Sequence, residues 1–252
     1  MKKPHLQILI FVLFTNISFG QYPEQPKKEL LKNYTSYIYQ FESKSCWKYK
    51  YRINEGLIDL QENYCNNKLT YRAEFKYDEF DNLVREIQTY DVNEGKVSDT
   101  TNIKLFYENS RLIKKITDYC VEKYSNFDIS GKPKLTEIKD DVKILPFKEI
   151  LEYDKKENIL KSITFSTNLD LKTENEFIQK ETTRYKYNKY NNVIEIYRDF
   201  EPKQEFPIPV NGGPFLYEYE YYKYKYNKNG LWIKKFKIVN GKQYLIAKRK
   251  FK

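Results

Sequence analysis

One stretch of the sequence constrains the fold more than any other, because aromatic and charged residues alternate along it. Residues 215–237 read FLYEYEYYKYKYNKNGLWIKKFK. Successive side chains of a β-strand point to opposite faces of the sheet, so this alternation predicts one face of rings and one face of charges. A polar turn at residues 227–230 separates it from a second alternating run. The stretch predicts an antiparallel hairpin, with a bulge at Tyr221-Tyr222, where the rings change from odd to even positions.

The same unit of strand, turn and strand recurs upstream as an internal repeat. In each copy a tyrosine is followed by Asp or Asn, a few polar residues and an apolar return. Asp and Asn side chains accept hydrogen bonds from the turn backbone, and Asn and Gly tolerate a left-handed conformation. The repeat predicts a mainly β protein, an antiparallel meander of successive hairpins in a twisted sheet. Four copies begin at Tyr77-Asp78, Tyr153-Asp154, Tyr187-Asn188 and Tyr226-Asn227, and a shortened copy begins at Tyr107-Glu108.

These tyrosine-led turns resemble the YD-repeat (RHS-like) family of secreted proteins, whose signature is a Tyr-Asp pair, a short turn with Gly or Asn and a hydrophobic return. The four full copies carry the resemblance, which covers about residues 70–240. It implies stacked hairpins and supplies no catalytic residue. It also implies one functional alternative, an accessory or immunity partner of a secreted toxin system.

The N-terminal part of the chain departs from the repeat. Residues 1–20 combine two lysines, an apolar run and a small-residue cleavage site, which predicts a secretory signal peptide cleaved after Gly20. Apolar residues at three-and-four spacing predict an amphipathic helix over residues 27–42. No later stretch is long and apolar enough to predict a transmembrane helix.

Residues 21–252 are predicted to form a single β-hairpin-repeat domain. Between copies of the repeat, residues 128–146 are expected to form a long loop or an outlying hairpin. Prolines are dense in residues 201–214, and proline cannot donate a hydrogen bond in a central strand. That stretch is therefore expected to cross the surface, and it is the place for a sub-boundary if the chain forms two domains.

Several chemistries are excluded because the mature chain would contain no imidazole. The one histidine, His5, lies in the predicted signal peptide. Catalysis by Ser-His-Asp or Cys-His groups and histidine ligation of metals are therefore ruled out. Turn chemistry explains the Asp and Asn residues of the repeats, so neither a metal site nor a cofactor is predicted. Of the three cysteines, Cys46 and Cys65 are the predicted disulfide pair, and Cys120 is expected to be a buried thiol.

The 25 tyrosines of the chain provide its candidate binding surface. Exposed Tyr and Trp rings can stack on sugar rings, and nearby lysines attract anions. The competing interpretation is that these rings fill the core, because a phenol can bury its ring while its hydroxyl reaches water. The residues expected to form the surface are Tyr222, Tyr224, Trp232, Lys234 and Lys235.

Glu218 and Glu220 form a second candidate site, an alternative acid pair. On one strand they would lie about 7 Å apart. A retaining glycosidase needs two carboxyl groups about 5 Å apart, so a glycoside-hydrolysing role is one interpretation of this pair. The competing interpretation is that both glutamates pair with lysines of a neighbouring strand.

Composition and predicted export together define the expected function. The formal net charge is +10, and loss of the two lysines of the signal peptide leaves +8. A repeated structural unit without reactive groups predicts an exported, non-enzymatic protein with a binding or scaffolding role at the cell surface or in the periplasm. The expected partner is an anionic or neutral glycan or another surface protein, and export disfavours nucleic acid. The alternative is a glycan-binding or glycoside-hydrolysing protein that uses residues 215–226.

Overall fold

The structure is a computed structural model that describes residues 33–39, 46–65, 67–79, 81–92, 95–140, 146–169, 175–208 and 215–251. The predicted signal peptide lies outside the described residues. All regular secondary structure in the described ranges is β-strand. The strands are β1 (Tyr34–Tyr39), β2 (Cys46–Asn54), β3 (Leu57–Cys65), β4 (Lys68–Tyr77), β5 (Leu83–Val92), β6 (Gly95–Asn102), β7 (Lys104–Glu108), β8 (Arg111–Ile116), β9 (Cys120–Phe127), β10 (Pro133–Asp140), β11 (Lys148–Tyr153), β12 (Ile159–Leu169), β13 (Glu176–Tyr187), β14 (Val193–Glu201), β15 (Tyr219–Tyr226), β16 (Trp232–Val239) and β17 (Lys242–Phe251).

The strands form one antiparallel meander, as the repeat predicts. With one interruption, each strand pairs with the next along the chain. The interruption is at Ile103, between β6 and β7, where β6 pairs with β5 and β7 pairs with β8. The last strand, β17, pairs with β1, and Tyr34 stands opposite Phe251. The sheet is therefore nearly closed and barrel-like, and the mainly β prediction is confirmed.

The predicted amphipathic helix is wrong over the part that the structure describes. Tyr34–Tyr39 form strand β1, which pairs with β2 on one side and β17 on the other. Tyr34 and Ser36 are both buried, so the segment alternates with period two. Over so few residues the apolar spacing fits either period, and two flanking strands that satisfy the backbone on both sides favour the extended form. The remainder of residues 27–42 lies outside the described ranges.

Five turns of the sheet share one geometry, which the turn at Asp154 illustrates. The Asp154 N–H donates to the carbonyl of Asn158 (2.8 Å), and the Glu157 N–H donates to the carbonyl of Asp154 (3.0 Å). The Asp154 carboxylate accepts the N–H groups of Lys156 and Asn158 at 2.8 and 2.9 Å. The fourth residue of each turn has a left-handed backbone, which Gly, Asn and Asp tolerate best. The five turns begin at Asp78, Asp128, Asp154, Asn188 and Asn227.

The turn at Asp128 corrects the sequence interpretation of residues 128–146. Asp128 accepts the N–H of Lys132 at 2.8 Å, and the regular strand β10 follows and pairs with β9. The residue before the turn is Phe127, so a search for Tyr-Asp misses this copy. The conformation depends on the acceptor at the first turn residue and on Gly131 at the fourth, and the preceding ring need not carry a hydroxyl.

Where the ring is a tyrosine, its hydroxyl group ties neighbouring hairpins together. The Tyr153 hydroxyl donates a hydrogen bond of 2.9 Å to the carbonyl of Pro133, at the start of the preceding return strand. The same contact joins Tyr77 to Ile58 and Tyr187 to Ile159. These three tyrosines therefore have a structural role, because each one satisfies a backbone carbonyl of the hairpin before it.

Replacement of Asp154 by alanine is expected to lower the free energy of unfolding by about 1–3 kcal/mol, because three N–H donors lose their acceptor. Urea denaturation measures this loss. The matched control is Asp154→Asn, which keeps an acceptor oxygen, as Asn188 and Asn227 do in their own copies. We expect the control to stay within about 0.5 kcal/mol of the parent protein. Equal losses in the two variants would contradict the acceptor role.

The proline-rich stretch connects two strands that pair with each other. Strand β14 ends at Glu201 and β15 begins at Tyr219, and Glu195 of β14 stands opposite Tyr221 of β15. A short bridge between Ile208 and Leu216 links the two described ends of this connection. The strands on either side of residues 201–214 thus belong to one sheet.

The two faces of the sheet differ in burial. We call the face with the buried side chains the inner face and the opposite face the outer face. Among the described residues, buried polar side chains outnumber buried apolar ones. The smallest exposed fractions belong to Ala73, Val193 and Ile196, and buried tyrosines supply much of the remaining inner volume. An inner face of this kind is stable only if its polar groups bond one another.

Candidate functional site on the two faces of strand β15

Strand β15 presents different residues on its two faces. Its register against β16 is regular from Tyr221 to Lys225, and the irregularity lies at Lys225/Tyr226, beside the turn. The prediction of a bulge at Tyr221-Tyr222 is therefore wrong. The strand continues regularly through these residues, and only the residue types on its two faces change: the outer face passes from tyrosine to lysine, and the inner face from glutamate to tyrosine. The outer face carries four exposed residues, Tyr219, Tyr221, Lys223 and Lys225. The inner face carries four buried or half-buried residues, Glu220, Tyr222, Tyr224 and Tyr226.

The structure brings together four of the five predicted binding residues, and it places them in the interior. The Lys235 Nζ lies 4.5 Å from the ring centre of Tyr222, and the rings of Tyr224 and Trp232 meet edge to face at 6.0 Å. Tyr224 is 8% exposed and Trp232 is 5% exposed, so neither ring offers a surface to a sugar. The fifth residue, Lys234, lies on the outer face opposite Lys225. This placement favours the core interpretation for the rings.

Cations cover the faces of these buried rings. The guanidinium carbon of Arg249 lies 3.7 Å from the ring centre of Trp232 and 4.8 Å from that of Tyr34. Tyr34 in turn stacks on Tyr51 at 4.7 Å. Because a cation over a desolvated ring is attracted by the π-electrons, these contacts stabilise a core that contains few aliphatic side chains.

A second group of inner side chains, the inner charge cluster, consists of Glu181, Arg198, Glu220 and Lys237. Glu220 accepts hydrogen bonds from Arg198 and from the hydroxyl of Tyr222, and the Lys237 Nζ lies 3.2 Å from its second oxygen. The Arg198 Nε lies 3.8 Å from Glu181. The cluster contains two acids and two bases, and Arg198, Glu220 and Lys237 are buried. Its charges balance within the sheet.

This pairing determines what the predicted acid pair can do chemically. Burial alone would raise the pKa of Glu220, but Arg198 and Lys237 outweigh it and hold that pKa below its ordinary value. A carboxyl group that serves as a general acid needs the opposite shift. Glu218 is exposed and lies just before the first residue of β15, so the two glutamates have different surroundings. The structure thus matches the ion-pair interpretation for Glu220.

The outer face of β15 exposes rings that the sequence interpretation did not single out. Tyr219 is 50% exposed and Tyr221 is 43% exposed. Their ring centres are 6.5 Å apart and their planes differ by 7°, and Tyr197 of β14 lies 4.8 Å from Tyr219. The sequence does separate these rings from Tyr222, because Tyr219 and Tyr221 occupy odd positions of the strand and Tyr222 an even one, so the two sets lie on opposite faces. Which set faced outward could not be read from alternation alone.

Three lysines stand side by side on the same outer face, and we call them the lysine row. Lys225 of β15 is opposite Lys234 of β16, which is opposite Lys248 of β17. Directly opposed like charges destabilise a sheet, so the row is an exception to ordinary cross-strand pairing. The register of three strands creates it, and no single segment of sequence reveals it.

A buried carboxyl group with a raised proton affinity was also not predicted. Burial and the nearby carboxylate of Glu122 raise the pKa of Glu149 to about 7. Glu122 is held by Lys115 at 2.8 Å and accepts a hydrogen bond from the Tyr124 hydroxyl. Glu149 lies on β11 and Glu122 on β9, on either side of β10. Nothing in the local sequence distinguishes these glutamates from the many others.

The predicted disulfide is contradicted, because Cys65 is a free cysteine. In the β2–β3 pairing, Cys65 stands opposite Trp47, so the register does not oppose it to Cys46. Disulfides require close and well-oriented Cβ atoms, which is why one residue of offset is decisive. Cys120 is also free and half-buried, and burial raises the pKa of its thiol. A thiol of this kind is a weak nucleophile at neutral pH.

Within the described residues, no group of three or more His, Cys, Asp or Glu side chains could hold a metal ion. The part of the chain that the structure describes contains no helix long and apolar enough to cross a membrane.

Comparisons with known proteins found matches among solved structures. No family model matches the sequence, and no curated protein matches it. Among solved structures, the chain is similar to a porin-like protein from Bacteroides uniformis, with 8% sequence identity and a TM-score of 0.36. The match covers 88% of this chain and 97% of that protein. At this level of likeness, no functional property transfers from one protein to the other.

Proposed function

We propose that the protein is an exported, non-enzymatic β-repeat protein that binds a glycan at the cell surface or in the periplasm. The observation that carries the proposal is the outer face of β15, where the exposed rings of Tyr219 and Tyr221 lie nearly parallel beside Tyr197. Aromatic rings held on a rigid strand form a flat apolar surface with polar hydroxyl edges, and a sugar ring can stack on such a surface.

The inner face supports the proposal from the other side. Its polar groups bond one another: Glu220 is shared by Arg198 and Lys237, and the Tyr224 hydroxyl donates to the carbonyl of Val193 at 2.9 Å. Side chains that already satisfy one another stabilise the sheet and gain nothing from a ligand. The exposed rings and lysines of the outer face are the side chains that a ligand could contact.

The test is a binding and turnover assay on purified mature protein, residues 21–252, against a panel of neutral and acidic polysaccharides. We expect retention on at least one of them and no release of reducing sugar. Expression of the full chain in an exporting host should yield a protein that begins at Gln21. Failure to bind any polysaccharide of the panel would contradict the proposed binding role. A protein that stays in the cytoplasm and keeps its first twenty residues would contradict the proposed export.

Glu149 favours one alternative, glycoside hydrolysis, because a pKa of about 7 suits a general acid at neutral pH. The same assay decides it. Sugar release that disappears in Glu149→Gln would identify an enzyme that uses Glu149. Sugar release that disappears only in Glu218→Gln and Glu220→Gln would assign hydrolysis to the acid pair Glu218 and Glu220.

A further inference from the structure

The lysine row is unusual within its own sheet. Elsewhere on the outer face, several lysines stand opposite glutamates and bond them at 2.6–2.9 Å, as in Lys161 with Glu152, Lys180 with Glu201 and Lys186 with Glu195. Like charges also oppose each other at Lys76 with Arg85 and at Lys114 with Lys123, but each of those is a single pair on two strands. Lys225, Lys234 and Lys248 instead stand opposite one another. No salt bridge joins any of the three to an acid of the described ranges. The row is distinguished by its extent, because it sets three like charges side by side on three strands. Such a departure from favourable pairing is characteristic of a functional site.

The row continues across the closing strands as a pattern of cations and rings. Lys248 stands opposite Tyr37 of β1, and Tyr37 stands opposite Lys48 of β2. The Lys250 Nζ lies 5.5 Å from the ring centre of Tyr37, and the Lys48 Nζ lies 4.7 Å from that of Tyr64. The pattern therefore continues from β15 to β2, with the neutral ring of Tyr37 on β1 between Lys248 and Lys48.

The exposed tyrosines lie on the same face and the same strand as the start of the row. Tyr221 and Lys225 are four residues apart on the outer face of β15, about 13 Å by strand rise, with Lys223 between them. Tyr219 extends the rings one step farther from the lysines. A ligand that follows β15 would therefore meet the two rings first and then Lys223 and Lys225. Lys234 and Lys248 lie beside Lys225 on the next two strands, within reach of a ligand that continues across the sheet.

We infer that the outer face of β15–β17 binds an acidic polysaccharide, with sugar rings stacked on Tyr219 and Tyr221 and carboxylate or sulfate groups bound by Lys225, Lys234 and Lys248. The inference rests on the proposed function and names its ligand class. A polyanionic sugar chain offers both chemistries that the surface presents, rings for the tyrosines and regularly spaced charges for the row. An anionic lipid surface offers charge and would leave the tyrosine pair unexplained.

The experiment measures binding of the mature protein to polygalacturonate and to heparin, with dextran as the neutral comparison, over a range of salt concentrations. We expect tighter binding to the two polyanions than to dextran, weakening as salt rises because the charges are screened. The triple variant Lys225→Gln/Lys234→Gln/Lys248→Gln should lose about tenfold or more in affinity and most of its salt dependence.

Matched variants separate this site from net charge and from unfolding. The control Lys155→Gln/Lys156→Gln/Lys203→Gln removes the same charge from exposed positions and should keep the affinity within about twofold. The lysine-row variant should melt at or above the temperature of the parent protein, because it relieves repulsion. Tyr219→Ala/Tyr221→Ala should weaken binding about tenfold, and Tyr219→Phe/Tyr221→Phe should retain most of it.

Several results would overturn the inference. Equal losses in the two lysine triple variants would show that net charge alone attracts the polyanion. Binding to dextran as tight as to polygalacturonate would leave the proposed glycan function standing and remove the acidic ligand. Tighter binding to vesicles that contain phosphatidylglycerol, unaffected by the tyrosine variants, would replace the polysaccharide with a lipid surface. Absence of binding to any polysaccharide would contradict both the inference and the proposed function.

Discussion

Replacement of Glu220 by alanine is expected to lower the free energy of unfolding by about 3–5 kcal/mol. The reason is that Arg198 and Lys237 would stay buried without their shared carboxylate. The cluster would then hold two buried bases and one acid, Glu181, and an uncompensated charge in a low-dielectric interior is costly because it has lost its water. The midpoint of urea denaturation at neutral pH measures the loss.

The same substitution has a defined pH dependence. The folded protein holds the pKa of Glu220 below its ordinary value of 4.5, so the stabilisation is fully present above that pH and is lost as the pH falls through the folded pKa. The difference between the parent protein and Glu220→Ala should therefore be constant from pH 7 to about pH 5 and then shrink in acid.

The control for this prediction lies two residues away. Glu218 is exposed, and Glu218→Ala should change stability by no more than about 0.5 kcal/mol. If both alanine variants were equally stable, the inner charge cluster would not be a structural unit. A difference that persists unchanged in acid would show that lost packing, and not lost charge, is responsible.

Replacement of Trp232 by alanine is expected to destabilise the protein by about 3–5 kcal/mol, which would show that this ring belongs to the core. Trp232 is buried against Tyr224, Ala247 and the guanidinium of Arg249. Removal of the indole leaves a cavity and abolishes the cation–π contact between Arg249 and Trp232. Thermal and urea unfolding of the purified variant measure the loss.

Trp232→Phe is the matched variant, because it keeps a ring at the same place. The indole N–H of Trp232 has no hydrogen-bond partner among the described residues, so its removal relieves a small cost and the phenylalanine variant should lose less than half as much as the alanine variant. A wild-type melting temperature for Trp232→Ala, together with lost glycan binding, would instead show an exposed binding platform.

The repeat was readable from the sequence because its signals are local. A turn needs an acceptor at its first residue and a residue that tolerates a left-handed backbone at its fourth, and Asp154 and Gly230 meet these needs within a few positions. Alternation likewise predicts strands from neighbouring residues alone. The mainly β meander followed from these two signals, and the copy at Asp128 was missed only because Phe127 replaces the expected tyrosine.

The site could not be predicted in the same way, because it depends on pairing between distant strands. Alternation separates Tyr221 from Tyr222 but does not say which of them faces the interior. The lysine row exists because the pairing of three strands sets Lys225, Lys234 and Lys248 side by side. The sequence around any one of these lysines does not show which residues will stand opposite it. The apolar spacing of strand β1 predicts a helix for the same reason, because β2 and β17, which hold it extended, lie elsewhere in the chain.

The return of β17 to β1 has a consequence for how the chain folds. Each hairpin pairs residues that are close in sequence, whereas Tyr34 meets Phe251 only after nearly the whole chain has been arranged. Loop closure over such a length is slow, so the hairpins are expected to assemble first and the ring to seal last. Before that final step two strand edges are bare, and this is the interval in which a second copy can add to the sheet and start an aggregate.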